Sequence, residues 1–190
     1  VNLSDWLKQE PNKLAHVLDV ISDDYAELSK ALVEEAKVDG IYLSVNNISY
    51  DEVTEEAYRK IIAPYEQKIL EAANRAGGEN ILHICGYHGF HNHLSWYREY
   101  PFLAVNWAAK VEGVSLSEGK KLFQGKAVIG GFGQTEKDLI YSGTEEAIKA
   151  ETRRLLDEAG RIGVVLGADC TIPRDTPVSH LKWVREAANE

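Results

Sequence analysis

The sequence predicts an α/β protein built around a parallel sheet. Short apolar runs alternate five times with longer segments in which apolar residues recur every three or four positions. The runs do not alternate apolar with polar residues, which is typical of strands buried on both faces of a parallel sheet. A hydrophobic content of 44% and a charged content of 27% are those of a globular chain. Two architectures fit: an open doubly wound sheet, or part of a (β/α)8 barrel, which five units are too few to close.

The first half of the chain contains two predicted strands and two helical segments. Apolar spacing predicts a helix that Gly40 stops, and Ser49 with Glu52 forms a capping box for the next helix, which Pro64 interrupts. In order, the predicted elements are a helix over 13–38, a strand over 41–45, a helix from about 49 to 76 and a strand over 80–85.

The second half repeats the pattern three times. Ser115 and Glu118 predict a capped short helix, Gly160 ends a longer helix, and Pro177 fits the first position of the last one. In order, the predicted elements are a strand over 102–105, the capped helix, a strand over 127–129, a helix over 144–159, a strand over 163–166 and the final helix. No linker or repeat interrupts the sequence, so we expect residues 1–190 to form a single domain or most of one.

Composition excludes several classes of partner. A net charge of −9 disfavours nucleic acids and anionic membranes, and no apolar run approaches the roughly 20 residues of a membrane span. The start of the sequence lacks a secretory signal, and two cysteines are too few for a disulfide scaffold, so we expect a cytoplasmic protein. Methionine is absent, even at position 1, which leads us to expect a processed chain or a piece of a longer one.

The carboxyl ends of the strands bear residues able to bind a metal. Both predicted architectures place ligands at these ends. His83 and Cys85 share one face of a strand because they are two positions apart, and Cys170 follows the fifth strand. Thiolate and imidazole are ligands that Zn²⁺ prefers, and three protein ligands leave a position open for catalysis. The alternative is two buried thiols and one hydrogen-bonded histidine.

Other polar residues at the same ends are candidates for catalysis or substrate binding. Asp169 is a candidate acid, a partner that orients a metal ligand, or a cap. His88 belongs to a histidine-rich loop with His91 and His93, which holds substrate, supports the ligands of a metal, or is simply exposed. The candidate substrate-binding residues are Asn46, Asn47, Asn106 and Gln134, although the asparagines also suit turns. The glycines at 130, 131 and 133 lack the order of a nucleotide-binding motif and favour a close backbone approach instead.

Several segments taken together resemble the uroporphyrinogen decarboxylase superfamily. The matching segments are Ile81–Gly86, Leu166–Pro173, Asp175–Pro177, Ile62–Tyr65, Gly130–Gly133 and Ser142–Glu146. The resemblance covers nearly the whole chain and implies the C-terminal part of a (β/α)8 barrel, with about five parallel strands.

Within this superfamily the motifs distinguish two chemistries. The decarboxylases work without metal, with an arginine-rich N-terminal loop and a Gly-His-Gly segment. This sequence has no such loop and has Ala168-Asp169-Cys170 at that segment. The corrinoid-dependent methyltransferases of the methylcobamide:coenzyme M type carry a His-x-Cys…Cys zinc motif, which His83, Cys85 and Cys170 match.

The resemblance therefore implies a zinc-dependent enzyme that moves a methyl group from a corrinoid to a small-molecule thiol. It implies about one Zn²⁺ per chain and a corrinoid carried by a partner protein. A decarboxylase acting on a tetrapyrrole is the first alternative. A non-catalytic binder of a corrinoid protein or a small molecule is the second.

Overall fold

The computed structural model describes residues 3–47 and 53–190 and confirms the α/β class. Its strands are β1 (Tyr42–Val45), β2 (Ile81–Ile84), β3 (Ala104–Trp107), β4 (Ala127–Phe132) and β5 (Val164–Ala168). They form one sheet in the order β1-β2-β3-β4-β5, with parallel registers from β3 to β4 and from β4 to β5. A doubly wound sheet reverses its strand order, whereas barrel strands follow chain order. The described residues therefore have the arrangement of a partial (β/α)8 barrel, as the sequence predicts.

Helices connect these strands, and polar residues cap several of them. The helices are α1 (Leu3–Gln9), α2 (Pro11–Glu34), α3 (Glu55–Ile61), α4 (Ala63–Arg75), α5 (Ala109–Glu112), α6 (Leu116–Leu122), α7 (Leu139–Ser142), α8 (Glu145–Ala159) and α9 (Val178–Ala188), with a 3-10 helix at Leu94–Tyr97. The capping box of Ser115 and Glu118 is confirmed, and the side chains of Thr54 and Thr144 cap α3 and α8 by accepting one backbone amide each. Over the described residues, none of the helices combines the length and apolar character needed to cross a membrane.

Some predicted helix boundaries differ from the structure. The first long helix ends at Glu34 rather than near residue 38, because the chain turns through Lys37, whose φ is 59°. The next helix breaks at Ile62, and Pro64 lies in the first turn of α4, where its missing N–H costs no hydrogen bond. Pro177 is the N-cap of α9 rather than its first residue. The predicted capping box at Ser49 and Glu52 lies outside the described residues.

Three strands end further toward the carboxyl end than predicted, including the fifth, which runs over Val164–Ala168 rather than 163–166. The third strand runs over Ala104–Trp107 because pairing with β4 starts where Ala104 meets Ala127. Asn106 therefore lies within β3 and not after it, which corrects the prediction. The fourth strand likewise extends through Gly130 and Gly131 to Phe132.

The contacts divide the described chain into two compact units, so the expected single domain stays a prediction. One unit comprises the residues up to 83 together with 92–103, and the other comprises 84–91 and 104–190. The core of the first contains the buried side chains of Tyr58, Leu70, Leu82, Tyr97 and Tyr100. The core of the second contains those of Trp107, Phe123, Val128, Phe132 and Ile148.

Candidate metal centre

The two cysteines of the chain lie side by side at the carboxyl ends of β2 and β5. Cys85 directly follows β2, and Cys170 comes two residues after β5. Their Sγ atoms are 4.0 Å apart, whereas a disulfide requires about 2.05 Å. Zinc–sulfur bonds of about 2.3 Å in tetrahedral geometry place two sulfurs about 3.8 Å apart. The separation therefore fits two thiolates on one metal ion and does not fit a disulfide.

His83, in β2 and two residues before Cys85, supplies a third donor. One ligand atom each from His83, Cys85 and Cys170 can be chosen so that all three lie within 4.8 Å of one another. The His83 side chain is buried, and its ring stacks on that of Tyr42 with 5.4 Å between ring centres. One imidazole and two thiols form a donor set that suits Zn²⁺ and leaves one tetrahedral position for another ligand. The structure thus brings together the three residues that the sequence predicts as metal ligands.

The surroundings of Cys85 act on its thiol in opposite directions. Burial raises the pKa of Cys85, a hydrogen bond with the Tyr87 side chain lowers it, and the neighbouring Cys170 raises it again, with a net increase. A metal ion that binds here must displace the thiol proton, so binding is coupled to proton release. Tyr87 is not among the site residues that the sequence predicts. Its position two residues after Cys85 is the signal that indicates this contact.

Asp169 is buried, and backbone amides surround its carboxylate. Oδ2 accepts a hydrogen bond of 2.9 Å from the Lys110 amide, and Oδ1 accepts one of 3.1 Å from the Gly131 amide. Burial raises the pKa of Asp169, although these bonds and one from the Ala109 amide oppose the increase. Both carboxylate oxygens are thus engaged by the backbone, which favours a positioning role over proton transfer.

The histidines of the predicted loop have three different environments. His88 is exposed and borders an open cleft of about 660 Å³. The other residues lining this cleft are Thr135, Glu136, Lys137, Asp138 and Pro173. Nδ1 of His91 lies 3.6 Å from the buried carboxylate of Glu112, and the ring of His93 stacks on Trp96. A catalytic role for His88 stays a prediction.

The predicted substrate-binding asparagines make hydrogen bonds that hold the backbone in place. Asn47 is buried, accepts a 2.8 Å bond from the His93 amide and donates one of 3.2 Å to the His93 carbonyl. Nδ2 of Asn106 donates to the carbonyls of Ile129 at 2.9 Å and Ala168 at 3.3 Å, so it links β3 to β4 and β5. Asn46 is half-buried. Contact of these residues with substrate stays a prediction.

Gln134 differs from the asparagines because its side chain has a buried acceptor oxygen, Oε1, without a hydrogen-bond partner among the described residues. A buried carbonyl oxygen without a partner is unfavourable, and a bound ligand or water relieves this cost. Of the four predicted substrate-binding residues, Gln134 thus carries the clearest sign of a missing partner.

A polar cluster after β4 was not foreseen from the sequence. Oδ2 of Asp138 accepts hydrogen bonds from the amide and hydroxyl of Thr135, and its Oδ1 lies 3.2 Å from the Lys110 ammonium. Burial would raise the pKa of Asp138, but the bonds from Thr135 and Lys110 outweigh it and the pKa is lowered. The contact between Lys110 and Asp138 joins residues far apart in sequence, and no local pattern indicates it.

A parallel sheet in chain order with a His-Cys-Cys cluster at its carboxyl edge defines the class of this protein as a barrel-type α/β protein with a candidate metal centre. The family model described as uroporphyrinogen decarboxylase (URO-D) matches residues 1–190. The chain belongs to this family.

Two curated relatives have a more specific name. The methylcobamide:CoM methyltransferase MtbA of Methanosarcina acetivorans is 28% identical over 173 residues, which are 90% of this chain and 48% of the relative. The protein of the same name from Methanosarcina mazei is 27% identical over 172 residues, with the same shares of both chains. The chain thus spans about half the length of these relatives.

Proposed function

We propose that this chain carries the zinc centre of a methyltransferase that moves a methyl group from a corrinoid to a small-molecule thiol. The observation that carries the proposal is the 4.0 Å separation of the Cys85 and Cys170 sulfurs, with a His83 ring nitrogen in the same cluster. The names of the two MtbA relatives supply the methyl donor, a methylcobamide, and the thiol, CoM. We propose the same donor and the same class of acceptor for this chain.

His83, Cys85 and Cys170 would hold about one zinc ion per chain, with one coordination position open to the acceptor thiol. Bound zinc would lower the pKa of that thiol, as it does for other bound ligands, so that the thiolate forms near neutral pH. The hydrogen bond from Tyr87 favours the thiolate form of Cys85, which is the form that binds metal.

The transfer step balances with these participants. The thiolate sulfur would form a bond to the methyl carbon of the corrinoid substrate, the bond from that carbon to cobalt would break, and its electron pair would stay on cobalt. The proton of the acceptor thiol leaves to solvent when the thiol binds. We assign the corrinoid to a partner protein and the reaction to the cytoplasm, a reducing compartment in which both cysteines remain available.

The remaining predicted site residues have supporting roles in this proposal. Gln134 follows β4, and its Oε1 atom would accept a hydrogen bond from a substrate in the site, because that atom is buried without a partner among the described residues. His88 borders the open cleft and would contact a bound substrate. Asp169 is not assigned as an acid, since its oxygens accept backbone amides.

The test is zinc-dependent methyl transfer by the full chain. The chain is loaded with Zn²⁺ and incubated with free methylcobalamin and CoM. Corrinoid absorbance reports loss of the methyl group, and mass spectrometry reports the methylated thiol. We expect transfer that requires zinc and is lost in Cys85→Ser and Cys170→Ser, while Ser179→Ala, at an exposed position, behaves as the wild type. A zinc-loaded chain that forms no methylated thiol contradicts the proposal.

The family model's own name favours a second candidate, a decarboxylase acting on a tetrapyrrole. That reaction would convert uroporphyrinogen to coproporphyrinogen and would not depend on the two cysteines. Product formation that survives Cys170→Ser would establish this alternative. Inactivity in both assays with tight binding to a corrinoid protein would instead indicate a non-catalytic binder.

A further inference from the structure

We propose that Asp169 is a positioning residue that fixes the distance between Cys85 and Cys170. This inference rests on the metal centre proposed above. It assigns Asp169 a role in which the carboxylate acts through the backbone and touches neither substrate nor metal.

Cys170 directly follows Asp169 in the chain, and Asp169 is bound to β4. The Asp169 amide donates a 2.7 Å hydrogen bond to the Phe132 carbonyl at the end of β4. Its Oδ1 atom accepts a second bond from the same strand, from the Gly131 amide at 3.1 Å. Asp169 is therefore attached to β4 through both its backbone and its side chain. These bonds fix the position of the backbone at Cys170, the next residue.

Glycines in β4 make this attachment possible. Gly130 and Gly131 have φ values of 141° and 106°, a conformation that side-chain-bearing residues rarely adopt. A Cβ atom on Gly130 would lie 3.3 Å from Oδ1 of Asp169. The two glycines therefore let β4 bend so that its backbone closely approaches the carboxylate.

The Asp169 carboxylate also binds the turn that packs against the segment after Cys85. Oδ2 of Asp169 accepts the 2.9 Å bond from the Lys110 amide, and the Ala109 amide also bonds to the carboxylate. These amides directly follow Ala108, which is fully buried. Gly86, the residue after Cys85, lies so close to Ala108 that a Cβ on it would be 2.6 Å from the Ala108 Cβ.

One carboxylate thus connects the backbone segments that carry the two cysteines. On one side it holds the end of β4 beside Cys170, and on the other it holds the turn against which the segment after Cys85 packs. Metal sites need donor distances within about 0.2 Å of their preferred values, so a loss of this connection should be measured as weaker metal binding. Groups that orient metal ligands typically change affinity by about 10- to 100-fold when they are removed.

Asp169→Asn tests the connection with almost no change in shape. The asparagine amide replaces one acceptor oxygen with an NH₂ group that faces a backbone N–H. At least one of the bonds from the Gly131 and Lys110 amides is therefore lost. The matched control is Asp138→Asn. Asp138 also accepts a backbone amide, from Thr135, and it contacts Lys110 through the side-chain ammonium. Its substitution therefore leaves in place the backbone bonds that join Asp169 to β4 and to the turn at Lys110.

The experiment is a Co²⁺ titration of the full chain, with affinity measured by competition with a chromophoric chelator. The visible and near-ultraviolet spectrum reports thiolate ligation and tetrahedral geometry. We expect Asp169→Asn to bind Co²⁺ about 10- to 100-fold more weakly with an altered spectrum. Asp138→Asn should keep wild-type affinity and spectrum, even if its thermal unfolding temperature falls.

Asp169→Glu provides a second test in case the asparagine variant does not fold. It keeps the charge but displaces the carboxylate by one methylene, so we again expect weaker binding and an altered spectrum. Wild-type affinity and spectrum in a folded Asp169 variant would overturn the positioning role alone. A wild-type chain that binds no Co²⁺ would instead overturn the proposed metal centre itself, so the two failures are distinguishable.

Discussion

Gly86→Ala should disturb the metal centre through packing alone, without removing any ligand. Gly86 follows Cys85, and an added Cβ would lie 2.6 Å from the Cβ of Ala108. Ordinary contacts of this kind are 3.4–4 Å, so the two segments must separate by about 1 Å. Forcing one extra methyl group into a packed interior typically costs about 1–3 kcal/mol of folding stability.

The same displacement acts on the sulfur of Cys85, because Cys85 is covalently joined to Gly86. A shift of about 1 Å exceeds the tolerance of about 0.2 Å for metal–ligand distances. We therefore expect zinc affinity to fall by at least about tenfold, in addition to the loss of stability. Urea unfolding of the metal-free chain measures the stability, and zinc titration with a competing chelator measures the affinity.

Gly167→Ala is the matched control for this substitution. Gly167 lies in β5, three positions before Cys170, and an added Cβ would meet its nearest neighbour, the Cγ2 atom of Ile129, at an ordinary 3.6 Å. We expect near wild-type stability and affinity. If Gly86→Ala binds zinc as tightly as Gly167→Ala does, the packing of Gly86 on Ala108 does not position Cys85, and the reasoning is refuted.

Three further predictions concern ionisable groups. Because burial raises the pKa of Cys85, zinc affinity should fall as the pH is lowered from about 9 to 6. The metal-free chain should lose stability as the pH rises above the ordinary thiol pKa of about 8.5, since the folded state favours the protonated thiol. A zinc affinity that does not change between about pH 9 and pH 6 would contradict the first of these expectations, the coupling of metal binding to proton release. Tyr87→Phe removes a hydrogen bond that lowers the pKa of Cys85, so iodoacetamide should alkylate the metal-free thiol more slowly at neutral pH; an unchanged pH profile would exclude the contact. Tyr58→Phe removes a 2.7 Å hydrogen bond to the carboxylate of Glu66 and should lower stability by about 1–3 kcal/mol in urea unfolding, whereas an unchanged midpoint would show that the bond does not stabilise the fold.

The strand–helix alternation could be predicted because each element has a local signal. Apolar runs gave the five strands to within a few residues, and the capping box at Ser115 was correct. Periodicity does not contain the strand order, so it is compatible with both a doubly wound sheet and a partial barrel. Only the family resemblance favours the barrel. The observed order decides between them, because consecutive strands are neighbours throughout the sheet.

Strand ends were the least predictable feature, with consequences for the site. Phe102 and Leu103 suit a strand by composition, but pairing of β3 with β4 starts only at Ala104. Strand limits depend on a partner that is distant in sequence, and an apolar run does not contain that information. This is why Asn106 was expected beyond the strand, whereas it lies within β3 and links three strands through its side chain.

The grouping of His83, Cys85 and Cys170 could be predicted because zinc-binding residue types are specific. Few residue types bind zinc, and strand ends on one sheet edge bring distant positions together. The contacts of Asp169 could not be predicted in this way, because its partners are backbone amides, which every residue except proline carries. Residue identity therefore indicates the candidate metal ligands. The backbone contacts of a residue such as Asp169 are found only from the three-dimensional structure.

The zinc content of the full chain decides whether His83, Cys85 and Cys170 form a metal centre. The protein is stripped of metal, loaded with excess Zn²⁺, freed of unbound ion and measured by elemental analysis alongside Cys85→Ser and Cys170→Ser. The proposed centre predicts about one tightly bound zinc per wild-type chain and a marked loss in each variant. A folded wild-type chain that retains no zinc, or cysteine variants that retain as much as the wild type, would contradict it.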